Sequence, residues 1–329
     1  MPREPEEARG DFRPTADWPL LRLRAELLKK LRRFFDERGF LEVETPILSA
    51  DVVIDRHLDP FAVEVGDGGS RRTMWLQTSP EFAMKRLLAA GAEAIYQVAH
   101  VFRSGEQGRL HNPEFTMAEW YRRGDDLQAG MQLLGELAEA LLGLGPAEPI
   151  SYQQAFELYA GIDPHAADIA ALAEVLARHG RSAPESLGPA DRDSWLELVL
   201  VELVEPELGQ SRPQILYDYP ASQAALAQVR PGPPAVAERF ELYVRGIELA
   251  NGYHELLDPA VLRERNRTNN QLRLADGKPT LPEESRLLAA MDAGLPESSG
   301  VALGFDRLVM LSSRANEIAD VLPFPFDRA

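Results

Sequence analysis

Two pairs of strand-like segments constrain the fold of this 329-residue sequence more than any other feature. The first pair, residues 95–102 and 114–121, flanks a polar loop; the second, residues 238–244 and 247–253, is separated by two residues. Both pairs are rich in β-branched and aromatic residues, which favour strands. Strands joined by short connections pair antiparallel. Helical stretches stand in blocks between them, so we predict an α+β fold with a mainly antiparallel sheet flanked by helices.

The helical segments suggest how the chain is divided. Asp17 is a plausible N-cap with Pro19 in the first turn, and Gly39 is a plausible end of that helix. We predict a disordered leader over residues 1–17 and one catalytic domain over residues 18–329. Within that domain, residues from about 145 to 210 are rich in Ala, Leu and Glu at helical spacing. We interpret them as a helical insert.

The composition argues against several classes of protein. Lys and Arg total 35 against 52 Asp and Glu, for a net charge of -17. Nucleic-acid binding depends on neutralising phosphates, so we expect no stable tRNA binding. No apolar run reaches the roughly 18 residues of a membrane span, and the N-terminus has no signal-like apolar core. The absence of cysteine excludes disulfides and thiolate zinc sites. We expect a cytoplasmic protein with no membrane association.

The loop between the first two strands carries the first candidate site. The sequence has no GxGxxG and no GxxxxGK[ST] phosphate loop, so side chains and strand backbone must hold any nucleotide. Arg103 stands where a strand meets this loop, and its planar guanidinium suits a phosphate. The alternative is a solvated hairpin with scattered charges, which is common for exposed Arg and Glu.

The second hairpin carries a candidate metal site. If Arg245-Gly246 forms a two-residue turn, Val244 pairs with Ile247 and Tyr243 with Glu248. Glu241 and Glu248 then become diagonal neighbours on one face, roughly 7–8 Å apart. Two carboxylates at this spacing suit Mg²⁺, which keeps other positions for water and phosphates. The alternative is a pair of solvent-facing glutamates on an amphipathic hairpin.

A third candidate lies near the C-terminus. Gly300 and Gly304 bracket a short apolar strand, and glycine permits close approach of a ligand to the backbone. Arg307 opens the following helix, where the helix dipole disfavours a cation. Such a charge is often kept for function. The alternative is a structural pair between Arg307 and Asp306 or another neighbour.

Taken in order, three segments resemble the signature motifs of class II aminoacyl-tRNA synthetases. RRFFDERGFLEVETPIL (32–48) resembles motif 1 with its proline, VFRSGEQGRLHNPEFTMAEWY (101–121) motif 2, and GVALGFDRLVML (300–311) motif 3. HNPEFTMAEWY and IELANGYHELLDP look like the lysyl-tRNA synthetase branch. Two departures matter. The sequence leaves no room for an anticodon-binding barrel before motif 1, and Gly105 stands where motif 2 usually has Glu, with Glu106 one residue later.

Several segments, SPEFAMKRLL and PASQAALAQ among them, resemble a paralogous family that attaches β-lysine to a lysine of elongation factor P. This resemblance implies an ATP-dependent ligase with Mg²⁺ as cofactor. It would activate a lysine-like amino acid as an adenylate and transfer it to elongation factor P, forming an amide. A truncated lysyl-tRNA synthetase that acts on tRNA and a non-catalytic paralogue are the alternatives. The acidic charge opposes the first, and the retained arginines and carboxylates oppose the second.

The resemblance also implies roles for particular residues. Arg103 and Arg307 would be catalytic. The ATP-binding residues would be Arg103, Ser104, Gly105, Glu106, Asn112, Glu248, Leu249, Gly304 and Arg307. The substrate-binding residues would be Ser79, Pro80, Glu81, Tyr121, Glu255 and Ala302. Glu241 and Glu248 would hold the metal.

Motif 1 in this family forms a two-fold interface, so the resemblance also implies a homodimer. Phe34, Phe35 and Phe40 are expected to supply apolar area around Pro46 in such an interface.

Overall fold

A nine-stranded mixed sheet forms the centre of the chain in the computed structural model, which describes residues 12–66, 71–184, 187–188 and 191–329. Residues 1–11 of the predicted leader lie outside this range. The strands of the large sheet are β1 (Leu41–Glu42), β5 (Ala94–Phe102), β6 (Glu114–Arg123), β7 (Glu148–Ser151), β8 (Gln214–Pro220), β9 (Val229–Arg230), β10 (Val236–Val244), β11 (Ile247–His254) and β12 (Ser298–Gly304). A smaller sheet contains β2 (Leu48–Ser49), β3 (Ala62–Val65) and β4 (Arg72–Leu76).

The order of the large sheet is β1-β5-β6-β12-β11-β10-β8-β7, with β9 beside β10. Every pairing is antiparallel except β1 with β5 and β7 with β8. The prediction of an α+β fold with a mainly antiparallel sheet is therefore confirmed. The three central strands β6, β12 and β11 come from distant parts of the chain, so the motifs are brought together only by the fold.

Nine α-helices accompany these sheets in the described part of the chain. They are α1 (Trp18–Asp36), α2 (Glu81–Ala89), α3 (Leu127–Leu142), α4 (Tyr152–Tyr159), α5 (Ile169–Arg178), α6 (Arg192–Val199), α7 (Pro259–Ala275), α8 (Arg286–Gly294) and α9 (Phe305–Ser313). The start of α1 is as predicted, because the Asp17 carboxylate accepts from the Leu20 amide at 2.9 Å. Its end comes earlier, at Asp36, and Gly39 takes a left-handed φ of 75° in the following turn. None of the described helices is long and apolar enough to cross a bilayer.

The main core lies between one face of the sheet and helices α1, α3 and α9. Phe34, Phe35 and Phe40 are at most 5% exposed in this core, where Phe35 stacks on Tyr96 with 4.7 Å between ring centroids. The expectation that these three rings supply a dimer surface is therefore wrong, since burial in the core leaves them no area to offer. The exposed apolar side chains near motif 1 are instead Trp18, Leu41 and Ile47, together with Phe12.

The predicted helical insert contains α4, α5 and α6, followed by a π-helical turn at Leu200–Val204. It also contains β7, which was not predicted and extends the large sheet. Its helices share a second core with Tyr219 and Tyr243 of the sheet. The insert therefore packs against one end of the large sheet, beside β8 and β10. Residues 185, 186, 189 and 190 of the insert lie outside the described range.

Along the central strands, successive side chains face alternately the hydrophobic core and the cleft. In β6, Ala118 and Trp120 belong to the main core, whereas Glu119 and Tyr121 line a cleft on the opposite face. The same alternation holds in β12, where Val301 packs in the core and Ala302 faces the cleft.

Candidate active site

A cavity of about 430 Å³ occupies the exposed face of the central strands. Side chains from β6, β10, β11 and β12 form its floor, and α2, α7, the motif 2 loop, the loop before β3 and the helical insert form its walls. Thirteen of the residues that the resemblance implies lie in its lining. They are Ser79, Glu81, Arg103, Glu106, Asn112, Tyr121, Glu241, Glu248, Leu249, Glu255, Ala302, Gly304 and Arg307. The fold thus brings residues of motifs 2 and 3 and of the β10–β11 hairpin into one cleft.

One end of the cleft is acidic and buried. Glu81, Glu119 and Glu255 are 8%, 1% and 1% exposed, and all three line the cavity. The Nζ atom of Lys85 lies 2.5 Å from Oε1 of Glu81 and 2.5 Å from Oε2 of Glu255. This end therefore holds three carboxylates and one ammonium. Buried carboxylates require cationic or hydrogen-bonding partners, so the arrangement favours a ligand that carries ammonium groups.

Glu119 was not predicted as a site residue. Its two oxygens accept from the hydroxyls of Tyr121 at 2.6 Å and Ser79 at 2.7 Å. Burial, and then the charge of Glu81, raise the pKa of Glu119 to about 7. The sequence held a signal for this residue, because Glu119 stands two positions before Tyr121 in a predicted strand and so shares its face.

Lys85 was also not predicted, although it stands four residues after Glu81 on one helix face. Burial lowers the pKa of Lys85, but the charges of Glu255 and Glu81 outweigh burial and leave that pKa above its ordinary value. Burial raises the pKa of Glu255, and Lys85 is the largest influence that lowers it.

Gly300 is required where β12 passes Glu255 and Tyr121. A Cβ atom at Gly300 would lie 2.2 Å from Glu255 Oε1 and 2.2 Å from Tyr121 Cε1. Any side chain there would displace both groups. The close contact at this glycine is with two protein side chains in the acidic end of the cleft, whereas close approach of a ligand to its backbone stays a prediction.

The other end of the cleft holds two arginines. The guanidinium of Arg103 lies 5.1 Å from the centre of the Phe115 ring, and its Nη1 atom lies 3.8 Å from Glu106. Its Nε atom is buried and has no hydrogen-bond partner among the described residues. A buried donor left without a partner is costly, so this geometry favours an anionic ligand beside Arg103.

Arg307 is held from three directions. Its Nη1 donates to the Glu248 carbonyl at 2.8 Å, its Nε to the Leu110 carbonyl at 3.3 Å, and its Nη2 to His111 Nε2 at 2.8 Å. Burial, and then the charges of Arg307 and Arg103, lower the pKa of His111 to about 4, so the imidazole is neutral near pH 7 and accepts this bond. Arg307 does not pair with Asp306, which is buried against Arg24 and the Thr116 amide, but it does pair with another neighbour, the Glu248 carboxylate, at 3.3 Å.

The hairpin of β10 and β11 has the predicted turn. Arg245 and Gly246 both have positive φ, and Val244 pairs with Ile247 and Tyr243 with Glu248. A bulge between Leu242 and Tyr243 shifts the register, so that Glu241 lies opposite Asn251. Both glutamates line the cleft, and the charge of Glu241 contributes, after burial, to a raised pKa of Glu248.

Glu241 and Glu248 differ in the protein groups that already contact their carboxylates. Glu241 accepts from Arg239 and from the hydroxyls of Tyr219 and Tyr243. A carboxylate has about four lone-pair positions, so one remains on Glu241 for a cation. Glu248 contacts Arg307 at 3.3 Å. No group of three or more acidic, His or Cys side chains in the described part of the chain could hold a metal. Two carboxylates alone fit Mg²⁺ when phosphates and water complete its shell.

The helical insert reaches this part of the cleft, which the sequence did not predict. Glu197 and Leu200, near the end of α6, and Glu205 line the cavity beside Glu241. The Tyr243 hydroxyl donates to Glu241 at 2.6 Å, and its oxygen also lies 2.9 Å from a carboxyl oxygen of Glu205. Burial, with a contribution from the charge of Glu241, raises the pKa of Glu205 to about 7, although the hydrogen bond with Tyr243 lowers it.

Three implied residues lie outside the lining. Pro80 is buried at the N-cap of α2, behind Ser79. The Ser104 amide donates to the Asp59 carbonyl at 2.7 Å, and Gly105 adopts a left-handed φ of 81°. Asn112 does line the cavity, but its amide donates to the Glu114 carbonyl and accepts from the Phe326 amide, so it also fixes the C-terminal segment.

The motifs, the sheet and the cleft together define a class II synthetase catalytic domain, and comparison with known proteins agrees. The family model for tRNA synthetases class II (D, K and N) matches residues 11–328. An elongation factor P–(R)-β-lysine ligase from Haemophilus influenzae is 45% identical over 324 residues, covering 98% of this chain and 99% of the relative. Ligases of the same name from Erwinia tasmaniensis and Klebsiella pneumoniae are each 48% identical, over 97% of this chain and 98% of theirs.

The chain therefore belongs to the class II tRNA synthetases of the D, K and N group and, within them, to the family of the elongation factor P–(R)-β-lysine ligases.

Proposed function

We propose that this chain activates (R)-β-lysine, or a closely similar diamino acid, with ATP and transfers it to a lysine side chain of elongation factor P. The observation that carries the proposal is the opposite character of the two ends of one cleft. Three buried carboxylates stand at one end, around Glu255, and two arginines, Arg103 and Arg307, stand at the other. An amino acid with two ammonium groups fits the first end, and a nucleotide triphosphate fits the second. The names of the relatives support the same reaction.

The substrate would lie with its carboxylate toward the arginines. Glu255 and Tyr121 would receive its side-chain ammonium, and Glu81, with Ser79 and Glu119, its second amine. Ala302 would lie alongside, because it is paired across the sheet with Glu119 on one side and Asn251 on the other. This orientation brings the carboxylate to the part of the cleft where Arg103 stands.

In the first step, a carboxylate oxygen of the substrate attacks the α-phosphorus of ATP. The new oxygen–phosphorus bond replaces the bond to the leaving pyrophosphate, and the product is an aminoacyl-adenylate. Arg103 would hold the α-phosphate and Arg307 the γ-phosphate, stabilising charge that grows in the transition state. Mg²⁺ held by Glu241 and Glu248 would neutralise phosphate charge. Arg307 is prepared for this role, because two carbonyls, the Glu248 carboxylate and neutral His111 take four of its five N–H donors and leave one for a phosphate.

In the second step, the neutral amine of a lysine on elongation factor P attacks the carbonyl carbon of the adenylate. The amide bond forms, AMP leaves, and the amine loses a proton. No covalent intermediate on the enzyme is needed, which agrees with the absence of cysteine. We further propose that the protein works as a homodimer in the cytoplasm and does not bind tRNA stably.

Pyrophosphate exchange tests the first step. With (R)-β-lysine, the enzyme should exchange labelled pyrophosphate into ATP, and it should do so more weakly with α-lysine. Intact-mass analysis of elongation factor P incubated with the enzyme, ATP and (R)-β-lysine should then show one added lysyl group. Exchange with α-lysine alone, followed by efficient charging of tRNA, would contradict the proposal and favour a lysyl-tRNA synthetase.

A further inference from the structure

Two carboxylates of the amino-acid pocket, those of Glu81 and Glu255, are bridged by a lysine of the protein itself. Lys85 is 2% exposed, and its ammonium lies between Glu81 and Glu255 at 2.5 Å from each. Those two glutamates come from helix α2 and from the residue after β11, so they are 174 positions apart in sequence (255 minus 81). Lys85 is one of four lysines in the chain, and of these it alone bridges the site.

Each bridged carboxylate keeps one oxygen for another partner. Lys85 contacts Oε1 of Glu81 and Oε2 of Glu255. Oε1 of Glu255 is buried, makes no hydrogen bond with any described residue, and lies against Gly300. An acceptor that is both buried and unpartnered is unfavourable, which indicates a missing donor. A substrate ammonium is the donor that the pocket lacks.

The charges around Lys85 indicate how many ammonium groups of a ligand the pocket can bind. Glu81, Glu119 and Glu255 contribute three carboxylates, Lys85 one ammonium, and Tyr121 and Tyr253 neutral phenols. With the carboxylates ionised, two negative charges remain unmatched. A diamino acid supplies two ammonium groups, whereas removal of Lys85 would leave three buried carboxylates that cannot all stay ionised.

Resting on the function proposed above, we propose that Lys85 is a positioning residue. Its ammonium holds the carboxylates of Glu81 and Glu255 in place on either side of it and favours the ionised form of Glu255, and it thereby matches the pocket to substrates with two ammonium groups. Lys85 itself contacts neither the phosphates nor the reacting carboxylate.

The test compares Lys85→Met with Lys85→Arg and with the exposed control Lys29→Met. The KM for (R)-β-lysine and for ATP is measured by pyrophosphate exchange between pH 7 and pH 9. With Lys85 in place, the pKa of Glu255 is about 8. In Lys85→Met the main influence that lowers this pKa is gone, so the pKa should rise further and the carboxyl group should stay protonated to higher pH. The KM for (R)-β-lysine should rise on the order of tenfold at pH 7 and fall toward the wild-type value as the pH increases. The KM for ATP should stay unchanged, and Lys85→Arg should restore the wild-type dependence of the KM on pH.

A purely structural role would lower the melting temperature without a pH-dependent KM, and that result would overturn the proposal. If Lys85→Met does not fold, the wild-type enzyme still decides the question. With ¹⁵N-labelled lysine, the Nζ signal of Lys85 should remain that of an ammonium through about pH 11, above the roughly 10.4 midpoint of ordinary lysines. Titration of Lys85 at or below that midpoint would exclude it as the charge that holds Glu81 and Glu255. Wild-type enzyme that exchanges pyrophosphate with no diamino acid would remove the proposed function instead, and this inference with it.

Discussion

Nη2 of Arg307 and Nε2 of His111 are joined by a hydrogen bond of 2.8 Å. Arg307 opens the motif 3 helix, and His111 lies in the motif 2 loop, 196 positions earlier in the chain. The bond requires a neutral imidazole, and the low pKa of His111, about 4, provides one across the physiological range. The bond therefore fixes the Arg307 guanidinium of motif 3 relative to the motif 2 loop. The end of the cleft proposed to bind the phosphates is thus already ordered in the absence of ATP.

Replacement of Arg307 by Ala should abolish most adenylate formation while leaving the fold intact. The Arg307 side chain contacts carbonyls and His111 in the cleft and takes no part in the hydrophobic core. Loss of a charge-assisted contact that strengthens in the transition state costs about 3 kcal/mol, or on the order of a hundredfold in rate. Pyrophosphate exchange measures the effect, with Arg263→Ala, on the outer part of α7, as the control. Near-normal exchange by Arg307→Ala would remove Arg307 from the reaction.

A methyl group at Gly300 should damage the amino-acid pocket specifically. The added Cβ would lie 2.2 Å from both Glu255 and Tyr121, so these side chains must move, at a cost of about 1–3 kcal/mol. We expect Gly300→Ala to raise the KM for (R)-β-lysine at least about tenfold and to leave the KM for ATP little changed.

Gly135→Ala is the matched control. Gly135 lies in α3 on the other side of the sheet, and its added Cβ would meet Ala147 at 3.4 Å. This variant should keep wild-type kinetics. Equal kinetic damage by both substitutions would show that Gly300 acts only through general stability.

Local patterns predicted the strands and their turns well, because alternation and turn residues act within a few positions. The pairing of Tyr243 with Glu248 followed from the positive φ that Gly246 adopts readily. The bulge between Leu242 and Tyr243 did not follow, because it depends on the packing of the sheet. β7 escaped prediction for a related reason: Glu148–Ser151 has no alternation of its own and becomes a strand by pairing with β8.

The order of the three motifs in the sequence identified the site residues that the resemblance implies. The structure added site residues whose role depends on their contacts with other residues. Glu119 and Lys85 each stand at a spacing that predicts a shared face with a site residue, Tyr121 and Glu81. Spacing does not reveal that Lys85 also reaches Glu255, since that contact exists only in the folded chain. Glu205 was beyond prediction altogether, because nothing local indicates that the insert reaches β10.

The exposed apolar side chains near motif 1 predict a two-fold interface. Leu41 is 64% exposed and Ile47 44%, on either side of Pro46. We expect a dimer in sedimentation-velocity experiments at micromolar concentration, and a monomer after the double substitution Leu41→Arg and Ile47→Arg. Leu274→Arg, also at an exposed leucine, should remain dimeric. A wild-type monomer at every concentration would contradict a motif 1 interface.

Ala302 should govern discrimination between β-lysine and α-lysine. Its methyl group faces the cleft between Glu119 and Asn251, beside the carboxylates proposed to receive the amine nearer the reacting carboxylate. The amino groups of the two isomers differ in position by one carbon, so a methyl at this point should crowd the α-amine and tolerate the β-amine. Discrimination by one methyl-sized feature is worth roughly 1–3 kcal/mol, or about 10–200-fold. Ala302→Gly should therefore raise kcat/KM for α-lysine by a factor in that range.

The phosphates are proposed to bind at the other end of the cleft, so the KM for ATP should not change in Ala302→Gly. The decisive quantity is kcat/KM for (R)-β-lysine divided by that for α-lysine, measured in wild type and variant. Ala118→Gly, a buried alanine on the core side of β6, controls for the general cost of a glycine in the sheet. If the ratio is the same in wild type and Ala302→Gly, the methyl group does not select the isomer. Ser79, which donates to Glu119 from the opposite wall, then becomes the residue to replace.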